Sequence, residues 1–458
     1  MSEVKITKLA ETNVEPTTLI SHAAQICYNP EAPVLGAKKM DIENKLFKTG
    51  HHSTLEHNYW TFMIENIPVS NVAFGLHLTA PFYDTDQRSG RFSKMYDNPD
   101  MADVRDTLER YYPNESSKTI NKACDFVEHG LNIYADNIGA VTELSRDAIR
   151  RERPKANDKY VETQAPKFAQ EQLRMFISMV APTALDWTID LATVCAFYRT
   201  AWTPFMRDVM DKIVNEIKTL HPDIAYMFDE NARNTTDWNP KFESKYLGTK
   251  TRPEFKLLGY EYNEKLFQEN RSRDTVDVLQ FSPEYMDNSL MHVRSRIHID
   301  AATMGQDQRH RSIKRSLPAF TGYFYLPPLL EKSLLKKDAD KFMQSFYAMY
   351  NDDKFSKNML ATIAPYGMMV QYDKHADLNA LIHEQGKRTC WCAQEAVYHL
   401  ACDLRRELAK KIGKDAKVMD YLTPPCLSMG HCVEGARCCG RDIIRDKKLK
   451  DYFYNREI

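Results

Sequence analysis

The sequence predicts an α+β fold made of two tandem repeats, each a small β-sheet with packed helices, followed by a cysteine-rich C-terminal tail. Three observations support this prediction. The 458 residues suffice for two or three domains. Short aromatic and β-branched runs, which favour strands, alternate with longer segments of helical periodicity. The motif Arg199-Thr-Ala-Trp202 returns as Arg388-Thr-Cys-Trp391, and an Ala-Pro pair precedes each copy.

In the N-terminal half, strand and helix signals follow one another closely. β-branched and aromatic residues predict strands, and apolar residues at helical spacing predict helices. We expect strands at 4–9 and 59–64, helices at 17–27, 71–78, 117–151 and 168–217, and a polar loop at 84–95.

The C-terminal half follows a polar segment, 229–253, which is typical of a linker. Residues 274–281 are compatible with a strand or a short helix. We expect helices at 289–303, 338–350 and 378–408, and a loop that ends at Pro327-Pro328. The predicted division is an N-terminal repeat (1–235), a linker (236–255), a C-terminal repeat (256–412) and the tail (413–458).

Composition narrows the class of protein. Hydrophobic residues make up 43% and charged residues 27%, which predicts an ordered chain with a sizeable core. The formal charge of −1 argues against a nucleic-acid-binding surface, while a local basic pocket stays open. The most apolar stretch, 177–198, carries Asp186 and Asp190 and predicts a buried helix rather than a membrane span. The first residues lack the apolar run of a signal peptide, so we expect a cytoplasmic protein.

The sharpest local motif is Gln306-Asp-Gln-Arg309-His310-Arg311, which follows a predicted helix. Two guanidinium groups flank an imidazole, and guanidinium forks fit phosphates and planar acceptors through paired hydrogen bonds. A solvated basic turn is the alternative on residue types alone.

The motif resembles the first half of the signature Gln-x-x-Arg-His-Arg-x-x-Ser-x-Asn-Glu-x-Ser-x-Arg-Tyr of the flavin-dependent thymidylate synthases (ThyX). The second half departs from that signature, beginning with Lys314 in place of its first Ser. The N-terminal repeat shows the complement. Gln87-Arg-Ser89-Gly90-Arg91 is similar to the end of the signature, while Thr79-Ala80-Pro81 stands where Arg-His-Arg belongs.

Other positions extend the resemblance over roughly 15–220 and 275–410. The run Ala23-Ala-Gln-Ile-Cys-Tyr28 is similar to the family's Ala-Ala-Arg-x-Ser-Tyr, and His52-Ser-Thr-Leu-Glu-His57 to its His-x-Ser-x-x-Glu-His. Arg388 is followed five residues later by Ala393-Gln394, which keeps the family's spacing. The resemblance therefore implies two tandem ThyX-like domains in one chain.

The resemblance also implies an assembly. Each family active site lies between subunits of a homotetramer, one subunit supplying Gln-x-x-Arg-His-Arg and another Ser-Gly-Arg. In a fused chain each repeat keeps one half of the site, so we expect a homodimer that mimics the tetramer and binds one nucleotide per chain.

The implied chemistry is reductive methylation of dUMP, with methylenetetrahydrofolate as carbon donor, FAD as hydride carrier and NADPH as reductant. The resemblance implies candidate catalytic residues at Ser89 and Arg388; Lys314, which occupies the position of the signature's first Ser, is a third candidate. It implies flavin contacts from His57, Arg309, His310 and Arg311. It implies substrate contacts from Gln87, Ser89, Gly90, Arg91, Arg174, Gln306, Arg309 and Arg388.

Alternatives stay open for these residues and for the reaction. His57 is also compatible with a core histidine, Ser89 and Arg91 with plain loop residues, and Arg388 with a charge at a helix end. Lys314 and Asp377 depart from the family pattern. They leave open a related one-carbon transfer, such as hydroxymethylation of another pyrimidine nucleotide, or a non-catalytic nucleotide-binding homologue.

Cysteines crowd into the end of the chain, and their spacing is compatible with metal. Four ligands from these cysteines and the nearby His431 would satisfy tetrahedral zinc in a structural site. Reduced core cysteines are the alternative, and an iron–sulfur cluster is a third. The candidate ligands are Cys390, Cys392, Cys426, Cys432, Cys438 and Cys439, with His431 beside them.

Overall fold

The computed structural model describes residues 3–78, 83–91, 100–153, 155–269, 282–428, 431–440 and 456–458. It confirms the α+β class, because helices pack on two separate β-sheets. Within these residues, no helix combines the length and the apolar character that crossing a membrane requires.

The N-terminal half builds the first sheet, in the strand order β1-β2-β4-β3 with every pair antiparallel. In β2 the side chains of Trp60, Phe62 and Ile64 alternate into the core, which is the period of a half-buried strand. In chain order the elements are β1 (Lys5–Glu11), α1 (Pro16–Tyr28), β2 (Tyr59–Pro68), α2 (Val69–Asn71), β3 (Tyr83–Gln87), α3 (Met101–Tyr111), α4 (Ser117–Glu152), α5 (Asp158–Leu173), β4 (Pro182–Asp190), α6 (Leu191–Thr200) and α7 (Pro204–Leu220).

The C-terminal half builds the second sheet, in the order β5-β9-β10-β7-β6, with β8 paired to β10. Only β5 pairs in parallel among the described strands, so most of this sheet is antiparallel. Its elements are β5 (Gly248–Lys250), β6 (Glu254–Tyr262), α8 (Pro283–Met286), β7 (Met291–Asp300), α9 (Ala301–Asp307), β8 (Lys314–Arg315), β9 (Ala319–Tyr325), α10 (Pro328–Lys332), α11 (Lys336–Tyr350), α12 (Lys357–Ile363), β10 (Met368–Asp377), α13 (Leu378–Arg388), α14 (Glu395–Ile412), α15 (Val418–Tyr421) and α16 (Pro425–Ser428).

The second sheet repeats the strand order of the first, since β6-β7-β10-β9 corresponds to β1-β2-β4-β3. In each sheet a helix follows the strand at the third position of this order: α6 follows β4, and α13 follows β10. Asp190 caps α6 and Asp377 caps α13 by accepting backbone hydrogen bonds. Two tandem repeats predict such a correspondence, and the duplication itself stays a prediction.

One apolar core joins the two halves. Phe126 of α4 stacks on Phe342 of α11, with ring centroids 4.4 Å apart. The ring centroid of Phe74 lies 5.1 Å from that of Phe320, with the two rings tilted relative to each other. The predicted linker also belongs to this core, because it contributes β5 and its Phe242 stacks on Phe320 at 4.4 Å. Shared packing therefore fixes the two sheets relative to one another.

Two predicted helices are wrong. The stretch 177–198 is β4 followed by α6, and 289–303 is β7 followed by the start of α9. In β4, Leu185, Trp187 and Ile189 are buried at a spacing of two, which identifies a strand. In β7 the pattern was hidden because this strand lies between β6 and β10, and polar residues share its buried positions.

Other predicted boundaries need correction. The loop at 84–95 begins with most of β3, and the loop before Pro327 contains β8 and β9. The helix at 378–408 is two helices, α13 and α14, separated by a turn at 389–394. Strands β6 and β10 were not predicted, and 274–281 lies outside the described residues.

Candidate functional site

The predicted motif residues lie between the two halves. Arg309, His310 and Arg311 follow α9, which leaves the end of β7 and is capped where Asp300 accepts the backbone N–H of Thr303 at 2.8 Å. This geometry aims the motif at the edge strand β3 of the N-terminal sheet.

Direct hydrogen bonds connect the motif to the N-terminal half. Arg309 donates from Nη2 to the backbone oxygen of Gln87 at 3.3 Å. Arg311 donates to the backbone oxygen of Thr85 at 2.6 Å and forms an ion pair with Asp84. The two half-motifs therefore meet within one chain.

The Ser89-Gly90-Arg91 loop lies beside α5. Gln170 of α5 donates to the backbone oxygen of Gly90 at 3.0 Å. Arg91 forms an ion pair with the buried Glu171 and donates to the backbone oxygen of Cys392 at 3.3 Å. The C-terminal half thus also holds the Arg91 side chain in place.

Gln394, at the end of the turn between α13 and α14, joins further candidates. Its Oε1 atom accepts hydrogen bonds from Arg174 at 2.7 Å and from Gln306 at 2.5 Å. Arg388 donates to the backbone oxygen of Gln306 at 2.6 Å and to Nε2 of His310 at 2.9 Å. Arg174, Gln306 and Arg388 therefore belong to one hydrogen-bonded cluster.

His310 is buried and neutral in this cluster. Burial holds the pKa of His310 well below its usual range, and the adjacent Arg388 cation adds to the effect. Because Arg388 donates to Nε2, the single proton of His310 lies on Nδ1. That nitrogen faces Nδ1 of His383 at 3.3 Å, so His383 is the acceptor. His310 therefore orients Arg388 and carries no charge of its own.

A buried ionic network supports the motif from behind. Asp307 accepts from Nε of Arg315 at 2.7 Å, from Nζ of Lys374 at 2.5 Å and from the hydroxyl of Tyr372 at 2.8 Å. Burial alone would raise the pKa of Asp307, but the Arg315 and Lys374 cations outweigh it and hold that pKa well below its ordinary value.

This network reaches the motif directly, because Arg315 also donates to the backbone oxygen of His310 at 3.0 Å. Its acidic members are Asp307 and Glu384, and the second of these forms an ion pair with Lys374. Sequence reasoning missed this network. The available signal was Asp307, a carboxylate inside the basic motif.

Positive charge concentrates around the site. Burial is the main cause that lowers the pKa of Arg388 to about 10; Asp307 and Glu384 oppose this shift, and the nearby Arg91 and Arg309 cations add to it. Burial likewise lowers the pKa of Arg309. Beside Arg91 opens a pocket with several cationic side chains and one carboxylate; these residues are Arg91, Arg153, Lys167, Arg437 and Glu171. Arg153 and Arg437 also line the neighbouring cavity of about 340 Å³.

Several buried polar atoms of the cluster have no hydrogen-bond partner among the described residues. They are Oε1 of Gln306, Nε2 of Gln394, Nε of Arg174 and Oε1 of Glu171. Leaving such groups unpaired in an interior is costly, so they are suited to a polar ligand or to bound water.

Two predicted residues lie apart from the cluster. His57 is exposed just before β2, and no contact between described residues joins it to Arg309. Lys314 is exposed at the start of β8, where it pairs with His375 of β10. Asp377, the other departure from the family pattern, caps α13. At these positions, neither Lys314 nor Asp377 contacts the described part of the cluster.

Of the six predicted metal ligands, Cys392 lies beside Arg91, which donates to its backbone oxygen. Cys390 and Cys392 belong to the turn between α13 and α14, and Cys392 donates to the backbone oxygen of Arg437 in the tail at 3.3 Å. All cysteines are free of disulfides.

Comparison with known proteins bears on the N-terminal half. Residues 8–223 match the family described as thymidylate synthase complementing protein. The flavin-dependent thymidylate synthase of Clostridium tetani is 24% identical over 234 residues, which cover 47% of this chain and 84% of that protein.

Two solved structures are similar over 50% of this chain. Thymidylate synthase X of Helicobacter pylori with FAD and dUMP is 12% identical, is covered over 99% of its length and has a TM-score of 0.33. The UMP/dUMP methylase PolB of Streptomyces cacaoi, bound with 5-Br dUMP, is 14% identical, is covered over 95% and has a TM-score of 0.34. Residues 8–223 of this chain are thus similar to the flavin-dependent thymidylate synthase (ThyX) family.

Proposed function

We propose that this protein binds dUMP between its two halves and methylates it reductively, with methylenetetrahydrofolate as carbon donor, FAD as hydride carrier and NADPH as reductant. The similarity of residues 8–223 to this family supports the reaction class. The observation that carries the proposal is the convergence of Arg91, Arg309 and Arg388 from both halves of one chain.

Three neighbouring guanidinium groups repel one another, and burial increases that cost. Asp307, Glu384 and Glu171 offset part of it. A phosphate would offset more, since it accepts charge-assisted hydrogen bonds from several guanidinium groups at once. The pocket beside Arg91 is also lined by Arg153, Lys167 and Arg437, which increase the positive electrostatic potential there. The site is thus suited to an anionic ligand.

The remaining candidates fit the base of the nucleotide. Gln306 and Gln394 present amide atoms that have no partner in the described part of the chain, and a pyrimidine ring offers both donors and acceptors. Arg388 lies next to Gln306, where it would stabilise negative charge that develops on the ring during reduction. Ser89 and Gly90 would lie toward the phosphate, because backbone N–H groups approach closely at a glycine.

The flavin-binding residues fit FAD only in part. Arg309, His310 and Arg311 lie together, but His310 is buried against Arg388 and Arg311 is paired with Asp84. His57 lies apart. Within the described part of one chain the full set is not in contact, and we expect the predicted homodimer to complete a flavin site.

The test is incubation with dUMP, methylenetetrahydrofolate, FAD and NADPH, followed by mass spectrometry of the nucleotide. We expect thymidylate from the parent and, at a dUMP concentration below saturation, much less from Arg309→Ala. The matched control is Arg296→Ala, which removes an arginine from an exposed ion pair with Asp373 in the same half. We expect Arg296→Ala to behave like the parent.

Other products would replace this proposal. A hydroxymethylated nucleotide would indicate the alternative one-carbon transfer. Unchanged dUMP that nevertheless binds would indicate a non-catalytic homologue. Because Lys314 and Asp377 have no described contact with the cluster, neither alternative gains support from them.

A further inference from the structure

The cysteine-rich corner is a feature that the proposed reaction does not use. The turn at 389–394 carries Cys390 and Cys392, and the tail at 431–440 folds over it. Partly buried Cys439 packs on the apolar group around Trp391 and Tyr398, which brings the end of the tail to the same turn.

Three potential ligand atoms already lie together here. The Sγ atoms of Cys390 and Cys392 and a carboxylate oxygen of Glu434 are all within 4.8 Å of one another. In a tetrahedral site with Zn–S bonds of about 2.3 Å, neighbouring ligand atoms are separated by roughly 3.7 Å. Small side-chain movements would therefore close the observed group around an ion.

The fourth ligand is available from the tail. Cys439 lies close enough to Cys390 for the two thiols to interact electrostatically. Cys432 and Cys438 hydrogen-bond to each other beside them. Reduced cysteines buried in a core do not explain why so many cysteines lie together here. Cys438 is exposed, and the neighbouring Cys390, Cys392, Cys432 and Cys439 are only partly buried. Thiolates and carboxylates both bind zinc, and a set in which protein side chains fill all four positions is typical of a structural zinc site.

We propose that Cys390, Cys392, Glu434 and Cys439 hold a structural Zn²⁺ ion that fastens the tail to the turn between α13 and α14. The proposal stands apart from the proposed reaction, because metal content and stability are measured without nucleotide.

The ion would also stiffen a segment on which the site depends. The backbone oxygen of Cys392 accepts from Arg91, and that of Trp391 accepts from Arg153 at 2.7 Å. Gln394, at the end of the same turn, binds Arg174 and Gln306. Restricting the turn would preorganise these contacts.

The test begins with metal analysis of the full chain, purified without added metal. We expect about one zinc ion per chain, since one closed set of four ligands is proposed. Cys392→Ser should lose the ion and unfold at lower temperature, because binding free energy adds to folding free energy. The matched control is Cys27→Ser, which alters an exposed cysteine on α1 and should keep both metal and melting temperature.

A second measurement covers the case in which Cys392→Ser does not fold. The parent chain, stripped of metal and loaded with Co²⁺, should show thiolate-to-cobalt absorption and tetrahedral ligand-field bands. Metal-free parent protein of full stability would overturn the proposal. Iron with sulfide in place of zinc would overturn it as well, as would a Cys392→Ser variant that retains its zinc.

Discussion

Replacement of Asp307 by asparagine tests whether the buried ionic network holds the candidate site in place. Asp307 is 2% exposed, and its partners Arg315 and Lys374 are 8% and 7% exposed. Removing one member of a buried ion pair leaves the other charges uncompensated, at a cost of about 3–5 kcal/mol. We expect Asp307→Asn to lower the free energy of unfolding by that amount, measured by urea denaturation.

The chain offers a closely matched control. Asp373 accepts from Nε of Arg296 at 2.7 Å, the same distance as in the Asp307–Arg315 pair, but these side chains are 41% and 43% exposed. Exposed pairs contribute about 0–1 kcal/mol, so Asp373→Asn should have little effect. If Asp307→Asn and Asp373→Asn lose the same free energy of unfolding, the claim that burial decides the strength of the network is refuted.

We also expect the stability difference between the parent and Asp307→Asn to depend on pH. The cations hold the pKa of Asp307 well below its ordinary value of 3.8. A depressed pKa contributes stability that is present above the unfolded value and is lost as the pH falls toward the folded one. The difference in free energy of unfolding between the parent and Asp307→Asn should therefore be largest at neutral pH and should shrink as the pH falls below 3.8. A difference that grows in acid would contradict this sign.

The remaining predictions concern packing and assembly. A Cβ at Gly130 of α4 would meet the backbone oxygen of Phe176 at 2.2 Å, so Gly130→Ala should destabilise the protein in thermal unfolding. Gly139→Ala, on the same helix with nothing within 4 Å, should instead stabilise it by about 0.5–1 kcal/mol; stabilisation by both would contradict the packing. Light scattering should give a homodimer of about 106 kDa, twice the 53.2 kDa chain. A monodisperse monomer that binds dUMP would contradict the predicted dimer.

Helices with a clear apolar face could be predicted from the sequence. The periodicity of α4 and α11 depends on local spacing alone, and both agree with the predicted segments to within two residues. Strands β4 and β7 could not be identified in the same way. Both lie inside sheets, where pairing with distant strands determines burial, and β7 buries Ser295 and His298 among its apolar residues.

The same contrast holds for the candidate site. Arg91, Arg309 and Arg388 stood in short motifs, and the structure brings them together. Lys374 and Glu384 stood in no motif. Lys374 is 67 residues from Asp307, and only the pairing of β10 with β7 and β8 brings it to the motif. Tertiary contacts of this kind leave no local pattern in a single sequence.

The central claim is that a single chain forms the nucleotide pocket from its two halves. Calorimetric titration with dUMP tests it on Arg91→Ala, on Arg309→Ala and on an equimolar mixture of the two. A charge-assisted phosphate bond contributes about 1.5–3 kcal/mol, so each variant should bind at least about tenfold more weakly than the parent. Because Arg309 contacts Gln87 within one chain, we expect the mixture to bind as weakly as its components. Parent-like binding by either variant, or recovery of tight sites on mixing, would contradict the account.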